Sequence, residues 1–365
     1  MKNYYGKAKE FDMDLSIIHS LISITPERPW GLNIANYLFL TGISAANFIF
    51  ANFYFIFKQD KIKNIAFLAL IISFIFLMVA PLNLIDDLTQ PGRIFNVFLY
   101  GWENFFTSPM KWGVLLLIFF FIVIFFEIYL AYQVFFKNQS KKQKMLFYFG
   151  VLGFILAFGI EFYTAYLIAI LNSFVFLHTP LMPLLFLASA FVSGIGMLIL
   201  ITQLYLKFFT DEKLNISLFS ILAKFLAFFA MLDIILRIFW FSFLLVFNTD
   251  DRFVAKIFFQ KEGFLIVFID MGLCLLLPLI IGFSKLNQKP LFVILAGYLG
   301  VLGSLMFRYT LVIKGQSFPK TTPSFLEYHI DFSNLISIIC NYGLLIAFFC
   351  LALAFFNKNI LIRGK

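Results

Sequence analysis

The stretch Lys111–Phe136, KWGVLLLIFFFIVIFFEIYLAYQVFF, decides the fold. Its thirteen residues from Val114 to Phe126 are apolar without exception, and Glu127 is the one charged group beyond the initial lysine. At about 1.5 Å rise per residue such a run crosses the roughly 30 Å hydrocarbon core of a bilayer as a single helix. Comparable runs lie near 30–57, 63–85, 145–174, 180–206, 214–248, 263–284, 290–313 and 333–356. The chain is therefore read as an all-α polytopic membrane protein with about nine transmembrane helices, Gly159 being a candidate break within 145–174.

Composition agrees. Of 365 residues 62% are hydrophobic and 13% charged, which excludes a soluble domain. The 55 phenylalanines, in a chain also rich in Ile, Lys and Asn, are read as filling lipid-facing positions and carry no function. Cys274, Cys340 and Cys350 are scattered through apolar runs, far from the spacing of a cluster or zinc site, and His19, His178 and His329 lie outside or at the ends of the spans. The expectation is a chain with neither haem nor iron–sulfur cluster. Residues 1–29 mix basic and acidic side chains and hold no apolar core of signal-peptide length, so the N-terminus is expected to be retained.

Charge in the loops sets the expected orientation. With nine spans, one face collects Lys58, Lys61, Lys63, Lys137, Lys141, Lys142, Lys144, Lys207, Lys213, Lys285, Lys289, Lys358, Arg363 and Lys365 against Asp60, Asp211 and Glu212. That face is read as cytoplasmic and the N-terminus as outside. The formal net charge of +9 then follows from topology, not from a nucleic-acid partner. The division is an extracytoplasmic segment 1–29 followed by one transmembrane domain, 30–365. Helices 1 and 5 begin alike. Leu38-Phe39-Leu40 precedes the small residues of 41–46, and Leu185-Phe186-Leu187 precedes those of 188–194. Small residues let helices approach closely in lipid, so two parallel four-helix bundles with a C-terminal helix appended are expected.

A charge at mid-bilayer costs at least ~2.5–3.5 kcal/mol on insertion scales, so each one needs a partner, a water cavity or a task. Seven such residues stand in the spans: Glu127, Glu161, Lys224, Asp233, Arg237, Asp270 and Arg308. Asp233 and Arg237 are four apart and can pair on one helix face, either as a neutralised structural pair or as part of a function. Lys224 lies nearer the cytoplasmic end, where its stem can snorkel. Glu127, Glu161, Asp270 and Arg308 have no sequence-local partner and must meet one another or water. Together with Asp233 and Arg237 they form a candidate proton pathway.

In helix 1, Asn33, Asn36 and Tyr37 have i, i+3, i+4 spacing near the outer surface. Amide and phenol groups there suit either a quinone ring, with a donor for each carbonyl oxygen, or ordinary interfacial hydrogen bonding. The outer loop Asp86-Asp87-Leu88-Thr89-Gln90-Pro91-Gly92-Arg93 is the longest polar connection. Further on, Ser108 is read as the N-cap of helix 3 with Pro109 in its first position.

Several stretches, taken in order, resemble the NrfD/PsrC family, the quinone-interacting membrane subunits of polysulfide reductases and related complexes. They are Pro29-Trp30-Gly31 with Tyr37 to Ala45, Asp87-Leu88 with Pro91 and Arg93-Ile94-Phe95, and Ser108-Pro109-Met110 with Trp112-Gly113. These are followed by Tyr163-Thr164-Ala165-Tyr166-Leu167, Pro183 to Ala190 with Gly194, and Arg308-Tyr309 with Gly315-Gln316. The resemblance implies a quinol/quinone-binding anchor for menaquinone or another quinone in the bacterial inner (cytoplasmic) membrane, doing no chemistry alone. Its partners would be an iron–sulfur (ferredoxin-like) subunit and a molybdopterin catalytic subunit on the outer face, where Asp86, Asp87 and Arg93 form the expected interface. It places Tyr37 as a quinone ligand with Asn33 beside it, and Glu161 and Tyr163 facing the same pocket. Ala165 stands where glycine is more usual, and the ninth helix exceeds an eight-helix core. A secondary transporter is the competing class; it predicts helices broken near mid-membrane, with Pro278 as the main candidate.

Overall fold

A computed structural model describes residues 30–88, 90–137, 139–174, 176–209, 216–246, 249–317, 328 and 330–356. The segment 1–29 and the basic tail 357–365 lie outside the described residues, as do Thr89, Asp211, Glu212, Lys213 and His329. Among the described residues nine helices are long and apolar enough to cross a membrane. The first six are α1 (Leu32–Phe55), α2 (Lys63–Asp86), α3 (Pro109–Phe136), α4 (Gln143–Ala169), α5 (Met182–Phe209) and α6 (Ile216–Val246). α7 is one rod in three pieces: α-helical Thr249–Gly263, π-helical Phe264–Leu276 and α-helical Leu277–Phe283. α8 (Pro290–Tyr309) runs on into a π turn, Thr310–Lys314, and a 3-10 turn, Gly315–Ser317, and α9 is Phe332–Phe355.

The expected spans correspond to these helices within a few residues, with three differences. α4 passes through Gly159 without a break and ends at Ala169. α7 begins at Thr249 rather than near 263, because its first turns carry Arg252, Lys256, Lys261 and Glu262 and give no apolar signal. Ser108 does precede α3, with Pro109 in the first position, but its side chain makes no capping bond. α9 has the cap that α3 lacks: the Asp331 carboxylate accepts from the Ser333 amide at 3.3 Å and its hydroxyl at 2.7 Å.

α1, α2, α3 and α4 close a ring in which each helix touches the next and α4 returns to α1; α5 to α8 close a second ring. The rings meet along α1 and α5, and α9 lies against α2. α1 sits at the centre, with 94% of its membrane-crossing stretch buried, against 11% for α9. That explains why α1 tolerates so many polar residues. Asn33, Asn36, Thr41, Ser44, Asn47 and Asn52 all face protein, not lipid. Ser44 donates to the Ser73 carbonyl of α2 at 2.7 Å, and Asn47 to the Gly194 carbonyl of α5 at 3.2 Å.

The two small-residue stretches matched between helices 1 and 5 pack on each other. A Cβ added to Gly194 would stand 2.6 Å from the Ala46 Cβ, and one added to Gly42 would stand 3.3 Å from the Ala190 Cβ. Beyond them α5 meets α8 as closely, since a Cβ on Gly196 would lie 2.7 Å from the Gly297 carbonyl oxygen. Lipid tails are as apolar as the helices, so close backbone approach is what holds them together. Gly194→Ala is expected to destabilise the purified protein by about 1–3 kcal/mol through overpacking, and Ala46→Gly in the same chain to restore part of it. Thermal unfolding of both variants in detergent checks this; equal losses would mean that the two residues do not share one contact.

Candidate functional site

α1 begins on one face of the bundle, called here the N-face, and its first turn has backbone amides with no partner inside the helix. Gln316 at the end of α8 and Tyr328 supply acceptors there. The Trp30 amide donates to Gln316 Oε1 at 3.2 Å, Gln316 Nε2 donates back to the Trp30 carbonyl at 3.4 Å, and the Leu32 amide donates to the Tyr328 hydroxyl at 3.0 Å. Gly31 fits beneath, where an added Cβ would lie 3.4 Å from that hydroxyl and 3.7 Å from Asp87 Oδ1. Two of the sequence stretches singled out above, Trp30-Gly31 and Gly315-Gln316, therefore meet across 286 positions.

One turn into α1 the side chains divide. Asn33 is fully buried, and neither its Oδ1 nor its Nδ2 has a hydrogen-bond partner among the described residues. Tyr37, also buried, lies within electrostatic reach of Tyr163 and Glu161 on α4. The Tyr163 ring occupies the space that a side chain at Gly113 of α3 would fill, 2.0 Å from an added Cβ. Beside it Trp112 stacks on Tyr166, centroids 6.4 Å apart. The neighbouring Lys111 ammonium donates to the Val97 and Tyr100 carbonyls and lies 4.5 Å from the centre of the Trp102 ring, fastening the preceding loop to α3.

Asn36 turns elsewhere. It donates to Asn83 Oδ1 of α2 at 2.8 Å and accepts from the Tyr342 hydroxyl of α9 at 2.9 Å. Asn341 joins Asn83 at 3.1 Å and Asp86 at 2.9 Å, and Ser337 also donates to Asp86. This network ties α9 to the first bundle. Sequence reasoning missed Asn83, Asn341 and Tyr342 because it weighed charges in apolar spans and passed over amides, which in lipid need partners just as surely. Asp86 is thus bonded within its own chain, whereas Asp87 sits at Gly31 and Arg93 is exposed at the end of a 3-10 turn. Burial pushes the half-buried Asp87 carboxyl above the usual carboxylate range.

The buried charges form two neighbouring groups, one inside the second ring and one spanning both rings. Arg237 grips Asp233 with two bonds, Nε to Oδ1 at 3.0 Å and Nη2 to Oδ2 at 2.8 Å, and Asp270 with a third, Nη1 to Oδ2 at 2.5 Å. The pair expected at four residues' spacing is present, and Asp270, read as lacking a local partner, completes it from the π-helical part of α7. Pro278, which has no amide proton to give, lies two residues past that stretch, so α7 is widened rather than unwound. Arg308 Nη2 stands 3.7 Å from Glu161 Oε2 and donates to the Phe186 carbonyl at 3.2 Å. The Phe307 ring lies 4.1 Å from the Arg237 guanidinium and 5.8 Å from that of Arg308, joining the two groups. Fully ionised, Glu161, Asp233 and Asp270 with Arg237 and Arg308 would sum to −1, so one proton neutralises the cluster. Glu127 stands apart toward the opposite face, fully buried, with the Asn52 amide as its polar neighbour. Phe48 and Phe120, in edge contact at 5.1 Å, belong to the apolar core of the same bundle.

Nine apolar helices in two rings, with buried polar side chains where α1, α4 and α8 converge, define the class: a multi-pass membrane protein. Residues 21–320 match the family described as polysulphide reductase, NrfD, and the protein belongs to it, a membrane subunit of a respiratory oxidoreductase. It is 26% identical to a subunit of the selenate reductase of Mesobacillus selenatarsenatis, over 85% of its own length and 77% of that protein. It is 30% identical to an NrfD homolog of Haemophilus influenzae and 29% identical to one chain of the polysulfide reductase of Wolinella succinogenes. In each case 48% of its length is covered, against 60% and 59% of those proteins. One chain of the bd oxidase of Geobacillus thermodenitrificans overlays with a TM-score of 0.48 at 11% identity, over 87% of the protein and 99% of that chain.

Two outcomes follow from the geometry. Gly113→Ala displaces the Tyr163 ring and is expected to cost about 1–3 kcal/mol, read as a lower unfolding temperature, while Gly92→Ala, with open space around it, changes nothing. Because the folded Asp87 carboxyl is raised, its favourable contribution is complete below the ordinary value of about 3.9 and is lost as pH rises through the folded value. Asp87→Asn is expected to flatten that part of the stability profile in thermal scans across acid pH; an unchanged profile would mean the carboxyl is solvated.

Proposed function

We propose that this chain binds quinol or quinone at the N-face end of its first bundle, between Asn33, Tyr37, Glu161 and Tyr163. There it exchanges electrons between the quinone pool and an iron–sulfur subunit docked on the same face. The observation that carries this is Asn33: a fully buried amide with both polar atoms unpartnered among the described residues, one turn from a buried phenol. Unpaired buried polar atoms cost about 1–3 kcal/mol, so a structure keeps them where a ligand or water completes them. The groups suit a quinone ring, with amide and phenol donors for its two oxygens and apolar walls around it. A bound quinol supplies two electrons and two protons.

The chain's own residues then have separable tasks. Asn33 and Tyr37 orient the ring by hydrogen bonds from one helix. Tyr163, seated over Gly113, closes the opposite side. Glu161, whose oxygens have no hydrogen-bond partner among the described residues, takes a proton, and Arg308 at 3.7 Å holds the resulting charge balance. Phe307 and Arg237 extend the cluster to Asp233 and Asp270, a path by which protons cross between the bundles, with Glu127 as its station toward the opposite face. Asn36 serves the attachment of α9 and not the ring. The names of the relatives support a complex of oxidoreductase subunits, and the lysine-rich loops support an outward N-face in a bacterial inner membrane, with Asp87 and Arg93 at the docking surface. The continuous hydrogen-bonded course of α7 favours this reading over a transporter with unwound helices.

In the purified complex, Tyr37→Phe and Asn33→Ala are each expected to lower quinol-dependent turnover about 10- to 100-fold, while electron transfer from an artificial donor to the catalytic subunit stays intact. Unaltered quinol turnover in both variants would refute the site. Glu161→Gln is expected to reduce proton release from quinol together with turnover; release unchanged at full turnover would remove Glu161 from the path.

A further inference from the structure

The N-face site leaves Lys224 without a role. It stands eight residues into α6, about 12 Å along the helix from its start at Ile216. The ion pairs among the described residues are Arg237 with Asp233 and Asp270, Arg308 with Glu161, and Lys314 with Glu262. Lys224 is in none of them, and neither is Lys61. These two lysines line one groove of about 630 Å³, opposite the N-face, at the seam where the end of α1 and the α1–α2 turn meet α6. Gln59 contributes an amide to it, and Phe53, Phe225 and Phe228 contribute aromatic walls. The turn that carries Gln59 and Lys61 passes through Lys58 with φ 55, a left-handed conformation uncommon for a residue with a side chain.

We propose that this groove is a binding site for one anionic phospholipid. Two ammonium groups outside every ion pair among the described residues, together with an amide, receive the phosphate-bearing headgroup, and the phenylalanines receive the upper part of an acyl chain. The groove thus pairs positive charge at its mouth with apolar walls, as a phospholipid requires. Snorkelling to water would satisfy Lys224 alone, but it would not account for a second lysine and an amide converging on the same groove from the other bundle. Juxtamembrane lysines are drawn to an anionic lipid surface, and here two act on one headgroup. Because α1 belongs to the first ring and α6 to the second, the lipid bridges the two bundles on the side away from the quinone site. The proposal does not depend on that site.

The test uses the full-length protein, delipidated in mild detergent and titrated with phosphatidylglycerol or phosphatidylcholine, with bound lipid counted by native mass spectrometry. Wild type is expected to bind one phosphatidylglycerol well ahead of phosphatidylcholine. In Lys61→Gln/Lys224→Gln that affinity is expected to fall roughly 10- to 30-fold. Lys137→Gln/Lys142→Gln, which removes the same charge from another loop of this face, is expected to leave it unchanged. Phe228→Trp keeps both charges, fills the groove and is expected to weaken binding, giving a second readout should the double variant fold poorly. Equal binding of the two lipids, undiminished phosphatidylglycerol binding in the double variant, the same loss in the Lys137/Lys142 variant, or competition by soluble glycerol phosphate at similar concentration would each overturn the proposal.

Discussion

The contact between α1 and α5 through Gly42, Ala46, Ala190 and Gly194 is the constraint on which the rest of the molecule depends. In lipid, burying one apolar helix against another releases little water, so association rests on how closely backbones approach and how completely polar groups are matched. Small residues at that crossing bring α1 into the centre, where α2, α4, α5 and α8 enclose it. Once enclosed, α1 can carry amides, hydroxyls and a phenol that no lipid-facing helix could hold. The candidate site lies on the helix whose membrane-crossing stretch is the most buried of the nine among the described residues.

Within α1, helical geometry separates two tasks. Asn33 and Tyr37 differ by about 40° around the axis, whereas Asn36 is about 100° from Tyr37. Asn36 therefore reaches α2 and α9 and is fully engaged with Asn83 and Tyr342, while Asn33 keeps an open amide beside the phenols. The same division separates the buried charges. Arg237 is held by two carboxylates through three hydrogen bonds, but Arg308 Nη1 has no hydrogen-bond partner among the described residues, and Glu161 stands at a distance too long for a hydrogen bond. One arrangement is tightly paired. The other has capacity left for a proton or a ligand.

Much of this was legible in the chain. Thirteen consecutive apolar residues admit one helix and one solvent, and the Asp233–Arg237 spacing fixes a pair on one face whatever surrounds it. The likeness of the starts of helices 1 and 5 marked the two stretches that meet, although it could not reveal that they touch each other. The polar beginning of α7 escaped notice because Lys256, Lys261 and Glu262 mask its period, and the Asn83–Asn341 bonds escaped because amides carry no charge to flag them. Ser108 occupied its expected place without performing the expected bond, since side-chain capping depends on a rotamer and not on position alone.

Local chemistry fixes what one helix determines by itself: hydrophobic length, periodicity, pairs at four residues' spacing and the distribution of lysines between loops. From these the sequence alone indicated a membrane protein of about nine spans and the residues too polar to face lipid. Which polar groups meet was decided only in three dimensions. Arg308 finds Glu161 on a helix far away in the chain, Gln316 finds Trp30 across 286 positions, and Asn33 finds no hydrogen-bond partner among the described residues. Such meetings depend on how far each helix is rotated and shifted against its neighbours, which a single helix's sequence does not encode. The packing of small residues at the centre sets that rotation, and with it the difference between a satisfied amide and an open one.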